Sequence, residues 1–174
     1  HGFAPYCVSI ALWDRTELVL GLVYELAHKQ CFYATKGQGA YLDGTVLSVS
    51  PCTQHEDSLI ATGFPYREFS RVHSFLTLLK VLFQETHGVR RAGAASYDLC
   101  AVAAGWVEGF FEEGLKAWDV AAGGFIVREA GGYICDWEGG DQWLTGKQII
   151  AGNKPIKTYL LERIQGIYPG FGST

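Results

Sequence analysis

The sequence predicts an α/β protein: antiparallel strands up to about residue 50, then strands alternating with helices, forming a largely parallel sheet flanked by helices. Three observations lead there. Before Pro51 the apolar residues fall in short β-branched and aromatic runs separated by polar or Gly-containing turns. After Pro51, stretches of helical apolar spacing alternate with short strand-like runs. The 174 residues, 48% hydrophobic and 18% charged, are enough for one real core and too few for two ordinary domains. The chain therefore divides into regions 1–50 and 51–174.

In chain order, "YCVSIALW" (6–13) and "ELVLGLVYEL" (17–26) read as two strands joined by the polar Asp14, Arg15 and Thr16, a hairpin. "QCFYATKGQGAYLDGTVLSVS" continues with a short strand, a Gly-rich turn, and Asp43-Gly44 between two more strand-like pieces. "SLIATGF" (58–64) predicts a strand. Residues 69–85 predict a helix with an apolar stripe of Val72, Phe75, Leu76, Leu79 and Phe83. A short strand near Val89, a small-residue helix over 96–104 and the strand "WVEGFFEE" follow. A helix opens near Asp119, strands lie around Tyr133 and over 148–151, and a last helix covers 155–164. There is no internal repeat and no low-complexity tract.

Composition removes several function classes. A formal charge of -4 argues against nonspecific nucleic-acid binding, which depends on displacing phosphate counterions. No apolar run approaches the roughly 20 residues that cross a bilayer. The five cysteines are odd in number, scattered and never C-x-x-C, which suits free thiols in a reducing cytoplasm. The chain has no methionine and begins with His1, which reads as the edge of a cut. Its start lacks the basic-then-apolar pattern of a signal peptide.

One segment raises the sharpest chemical question. "GLKAWDVAAGGFIVREAGG" (114–132) puts one acid, Asp119, at the head of an otherwise small and apolar helix, directly after the strand acids Glu112 and Glu113. Asp119 reads either as a helix-start acid favoured by the macrodipole or as a ligand for a hard cation such as Mg²⁺ at the strand-end crevice, with Trp118 shaping a wall. Gly123 and Gly124 would admit a neighbouring backbone, at a cost of about 1 kcal/mol each against Ala. Gly131 and Gly132 would close the helix in a left-handed cap. In "VRRAGAASYDL" (89–99), a Gly and small residues at a strand-to-helix turn either present backbone N–H groups to a ligand or simply make a tight turn. Arg90 and Arg91 suit phosphate, although such arginines are most often structural or solvated. Asp43-Gly44-Thr45 reads as a hairpin turn and His55-Glu56 as loop. "KGQGAY" also reads as a turn, since no helix follows it to bind phosphate.

"AWDVAAGGFIVREAGG" closely resembles the C-terminal signature of the inositol monophosphatase family, Mg²⁺-dependent, lithium-sensitive sugar phosphatases. "HGFAPYCVSIAL", "GLVYELAHKQCFYATKGQGAYLDG", "IATGFPY" and "RRAGAASYDLCAVAAGWVEGFFEEGLKAWD" resemble it too, in family order. The resemblance runs from His1 to about Asn153, and bacterial members are the most similar. It implies the sugar-phosphatase fold, with 1–50 as the end of the N-terminal sheet region and 51–174 as the C-terminal α/β domain. It also implies a cytoplasmic homodimer acting on a small phosphorylated polyol, most simply inositol 1-phosphate. By the same resemblance Asp119 binds metal at the substrate, Gly93, Ala94 and Ala95 offer backbone contacts to substrate hydroxyls, and Glu112 binds hydroxyl. Ala94 replaces a Thr or Ser found in many members, so only the backbone contact is expected there.

The family's "DP-x-DGT-x-NF" segment, with two metal-binding aspartates and the water-activating threonine, precedes the "HGF" with which this chain opens. Catalytic residues are therefore expected upstream of His1, and the chain alone is expected to be inactive. Relatives that act on nucleotide 3′-phosphates, fructose bisphosphate, histidinol phosphate or NADP define the alternative substrate classes. A partner-binding, non-catalytic role is the alternative of another kind.

Overall fold

The structure, a computed structural model, describes residues 1–66 and 68–171; Arg67 and 172–174, within the expected region 51–174, lie outside the described residues. The first sheet is an antiparallel meander of β1 (Cys7–Trp13), β2 (Leu18–Glu25), β3 (Gln30–Thr35), β4 (Ala40–Leu42) and β5 (Thr45–Val46), in that spatial order. Its turns follow the local chemistry. The Asp14 carboxylate accepts the Thr16 and Glu17 N–H groups and the Thr16 hydroxyl, closing the first hairpin. Asp43 (φ 48°) and Gly44 (φ 85°) are both left-handed, the two-residue turn that matches strand twist.

Strand alternation gives the sheet two apolar faces. Val23, Phe32, Ala34 and Ala40 point inward and are buried, whereas Val8, Ile10 and Leu12 on β1 are exposed. Phe3, Tyr6 and Trp13 are exposed as well.

The second half contributes β6 (Leu59–Thr62), α1 (Val72–Glu85), β7 (Gly88–Arg90), α2 (Ala95–Ala103), β8 (Gly109–Glu113), α3 (Ala117–Glu129), β9 (Tyr133–Cys135), β10 (Gln148–Gly152) and α4 (Lys154–Ile167). The α/β class holds, and β6, β7, β8 and β9 of the second sheet run in one direction, with β10 reversed. Its order is β7-β6-β8-β10-β9, with β6 parallel to β7 and β8, and β10 antiparallel to β8 and β9. The reason lies in the connections. Helices link β6 to β7, β7 to β8 and β8 to β9, as parallel crossovers require. Between β9 and β10 there is only a loop with a single 3-10 turn at Gln142–Leu144, so β10 returns in the opposite direction and fills the gap beside β8.

The apolar stripe of α1 also differs from expectation. Phe75, Leu78, Leu79 and Leu82 are buried, while Leu76 and Phe83 are 55% and 64% exposed. Both sets fit a 3.6-residue period and share Phe75 and Leu79, so spacing alone did not choose between two adjacent faces.

Two apolar clusters show the layering. One joins the inner face of the first sheet to α2, α3 and one face of the second sheet, through Phe32, Leu99, Ile126, Phe110 and Ile149. The other joins the opposite face of the second sheet to α1 and α4, through Ile60, Phe111, Leu78 and Leu160. The order is sheet, helices, sheet, helices. Asn153 starts α4, its side-chain oxygen accepting the Ile156 N–H at 3.0 Å.

The glycines of α3 explain its burial between two sheets. A Cβ at Gly123 would lie 2.7 Å from Leu99 Cβ, and one at Gly124 2.7 Å from the Trp143 ring. Gly131 takes the left-handed conformation (φ 83°), and Gly132 N–H donates to Val127 C=O at 2.9 Å. Gly132 itself is not left-handed. It is small because a Cβ there would meet Val127 Cγ1 at 2.5 Å and Val49 Cγ1 at 2.9 Å.

Candidate functional site

Because β6, β7 and β8 run parallel, their carboxyl ends open on one edge of the sheet, where α/β proteins form ligand crevices. Gly63 follows β6. Arg91, Ala92 and Gly93 follow β7 and lead into α2. Glu112 and Glu113 end β8, and after three intervening residues α3 begins. The structure thus gathers at one edge the chain segments holding Gly93, Ala94, Ala95, Glu112 and Asp119.

Local chemistry sets each position. Gly93 has φ 103°, a conformation that a side chain resists, and turns the chain toward α2. Ala94 is extended, and its C=O accepts the Tyr97 and Asp98 N–H groups at 2.9 and 3.0 Å. Asp119 is the third residue of α3. Its Oδ2 accepts the Lys116 N–H at 2.8 Å, while its own N–H donates to Lys116 C=O at 2.9 Å. Among the described residues, Oδ1 has no hydrogen-bond donor. Trp118 is 71% exposed, so it stands out into solvent rather than lining a wall.

The two strand acids separate by strand alternation. Glu113 pairs with Arg71 at 3.5 Å. Glu112 faces the other way, its carboxyl resting on Gly63, where a Cβ would lie only 2.0 Å from Oε1. Thr62 Oγ1 donates to Phe111 C=O at 2.8 Å and holds that contact in place. Burial pushes the Glu112 carboxyl up to about 8, the charges of Asp98 and Asp119 add to the rise, and Arg91 opposes it. Asp98 is an acid that residue patterning did not single out. It is 3% exposed in the first turn of α2. Burial raises it to about 7, with the Ala92 backbone N–H and the Arg91 charge acting against the rise. A lone acid among small and apolar helix residues was the available signal.

These shifts set a pH dependence. Both carboxyls ionise more readily in the unfolded chain, at 3.8 and 4.5, than at about 7 and about 8 in the fold. Their stabilising contribution is present below the unfolded values and is lost as pH rises toward the folded ones. In metal-free buffer, Glu112→Gln should match wild type near pH 4.5 and exceed it at pH 8 by about 2–4 kcal/mol in denaturant titrations. A stability difference that stays flat across this range would show Glu112 to be solvated.

Among the described residues, no group of three or more His, Cys, Asp or Glu side chains could hold a metal ion. The single carboxylate of Asp119 falls short of the six oxygens that Mg²⁺ prefers. A cleft of about 360 Å³, lined in part by Trp13, Phe125, Arg128 and Trp143, lies near the other end of α3. Its cations are engaged in the Lys36–Glu17 and Arg128–Asp141 pairs. The "KGQGAY" turn cradles an anion of the protein's own: Gly37 and Gly39 N–H groups both donate to the Glu129 carboxylate at 3.1 Å. His55, in a single 3-10 turn, stacks on Tyr159 with ring centroids 4.4 Å apart.

The layers and the parallel strand ends, facing two helix starts at one sheet edge, define an α/β protein of the kind that forms ligand crevices there. The sequence model of the inositol monophosphatase family matches residues 1–167, and the chain belongs to that family. A "Putative Nus factor SuhB" of Neisseria meningitidis serogroup B is 42% identical over 164 residues, 94% of this chain and 63% of the relative. An "Inositol-1-monophosphatase" of Mesorhizobium japonicum is 38% identical over 165 residues, 95% of this chain and 62% of the relative. The crystal structure of the extragenic suppressor protein suhB from Bartonella henselae superposes with a TM-score of 0.88 at 40% identity, over 92% of this chain and 62% of that one. The chain therefore spans less than two thirds of the length of these relatives.

Proposed function

We propose that this chain forms the larger part of a Mg²⁺-dependent phosphatase that hydrolyses the phosphate monoester of a small polyol, with inositol 1-phosphate the leading substrate. The observation that carries this reading is the Glu112 carboxyl seated on Gly63 at the same sheet edge as the Gly93 turn and the Asp119 helix start. In it, Glu112 and the backbone of Gly93, Ala94 and Ala95 hold the polyol hydroxyls, and Asp119 is one metal ligand. The other ligands and the water-activating group would come from the part of the relatives' length that this chain does not span. Mg²⁺, when bound, would stabilise the negative charge developing on the leaving oxygen and activate water. The cytoplasmic homodimer belongs to the same reading.

The test is phosphate release by the protein extended to the relatives' full length, with and without Mg²⁺. The panel sets inositol 1-phosphate against a nucleotide 3′-phosphate, fructose bisphosphate, histidinol phosphate and NADP. Mg²⁺-dependent turnover led by inositol 1-phosphate is the expected result, and a lead by any other ester would reassign the substrate. A second reading, partner binding, is supported by relatives named as Nus factors and by the exposed apolar strand β1. Absence of turnover on the whole panel would favour it.

A further inference from the structure

Two glycines at the strand-end crevice are each pressed by a functional side chain. Gly63 carries the Glu112 carboxyl. At Gly93, a Cβ would lie 3.0 Å from Arg91 Nη1 and 3.5 Å from Cζ, so the guanidinium of the exposed Arg91 folds back along the turn. The residue after Gly63 completes the arrangement: the Arg91 guanidinium carbon sits 5.4 Å from the Phe64 ring centroid. Because β6 and β7 are adjacent parallel strands, with Ala61 opposite Arg90, this contact ties their two ends together.

A guanidinium held against a ring keeps its N–H donors available for a planar fork of hydrogen bonds. Among the described residues, Arg91 makes no salt bridge and no side-chain hydrogen bond, unlike Arg71, Arg128 and Arg163. Its charge nevertheless acts on the Glu112 and Asp98 carboxyls. An uncommitted donor thus stands at the Gly93 edge and an acceptor at the Gly63 edge of one crevice.

We propose that Arg91, positioned by Phe64, is a specificity-determining residue: it donates to a substrate hydroxyl at the Gly93 edge while Glu112 engages another. The pair selects cyclic polyol phosphates, whose hydroxyls span donor and acceptor, over short acyclic ones. This inference rests on the phosphatase reading.

The experiment compares wild type, Arg91→Ala and Phe64→Leu in the protein of full family length. Inositol 1-phosphate and glycerol 2-phosphate serve as substrates. Arg91→Ala should lower the ratio of kcat/KM for the cyclic over the acyclic ester about tenfold, chiefly through KM, as expected for one lost charge-assisted hydrogen bond. Phe64→Leu should shift the ratio the same way by less. Should Arg91→Ala fail to fold, Arg91→Gln carries the same comparison. An equal loss on both esters would assign Arg91 to the phosphate and overturn the proposal, as would an unchanged ratio. A wild-type protein that hydrolyses neither ester would overturn the phosphatase reading itself, and this inference with it.

Discussion

Asp119→Asn is expected to lower Mg²⁺-dependent turnover of inositol 1-phosphate by about 100- to 1000-fold in the protein of full family length. The change keeps the side-chain shape, and an Asn oxygen can still accept the Lys116 N–H that Oδ2 now receives at 2.8 Å. What it removes is the negative charge. If that charge holds a cation, the loss costs several kcal/mol of transition-state stabilisation, and each ~1.4 kcal/mol is a factor of ten. If Asp119 only caps α3, the cost is a few tenths of a kcal/mol of stability and turnover is unaffected. Kinetics at saturating Mg²⁺, paired with thermal melting, separate the two. This chain alone, residues 1–174, should release no phosphate above background, because one carboxylate does not assemble a cation site. Robust turnover by it would reveal a site outside this account.

The second large effect concerns close approach of backbones. Gly21→Ala should destabilise the fold by about 1–3 kcal/mol, since the new Cβ would lie 2.7 Å from Ala122 C=O and 3.2 Å from its Cα. Backbone on both sides cannot rotate away as a side chain would. Gly123→Ala should also destabilise, because its Cβ would meet Leu99 Cβ at 2.7 Å and Ser96 C=O at 3.1 Å. That collision opposes the helix propensity gain of about 1 kcal/mol. Gly166, near the end of α4, has open space around it, so Gly166→Ala should stabilise by up to about 1 kcal/mol. Melting temperatures should follow by about 2–4 °C per kcal/mol for a chain of this size. If all three substitutions moved stability in the same direction, the close-packing account of α3 would fail.

The sequence by itself determined the local elements and the α/β class. The apolar β-rich run in "ELVLGLVYEL" and the Asp43-Gly44 turn each act within a few residues, where side-chain and backbone chemistry suffice. The family signature around Asp119 was legible for a similar reason, as an acid beside glycines that nothing local required. Only the tertiary structure decided which way β10 runs, because strand direction depends on what fills the gap beside β8. Only it chose Leu78 and Leu82 over Leu76 and Phe83 as the buried stripe of α1, since both stripes satisfy one period and packing picks the partner. The contacts that make the crevice were invisible for the same physical reason. Glu112 on Gly63, and Arg91 between Gly93 and Phe64, join residues from different strands. No spacing within one segment encodes an approach that arises only when parallel strand ends meet.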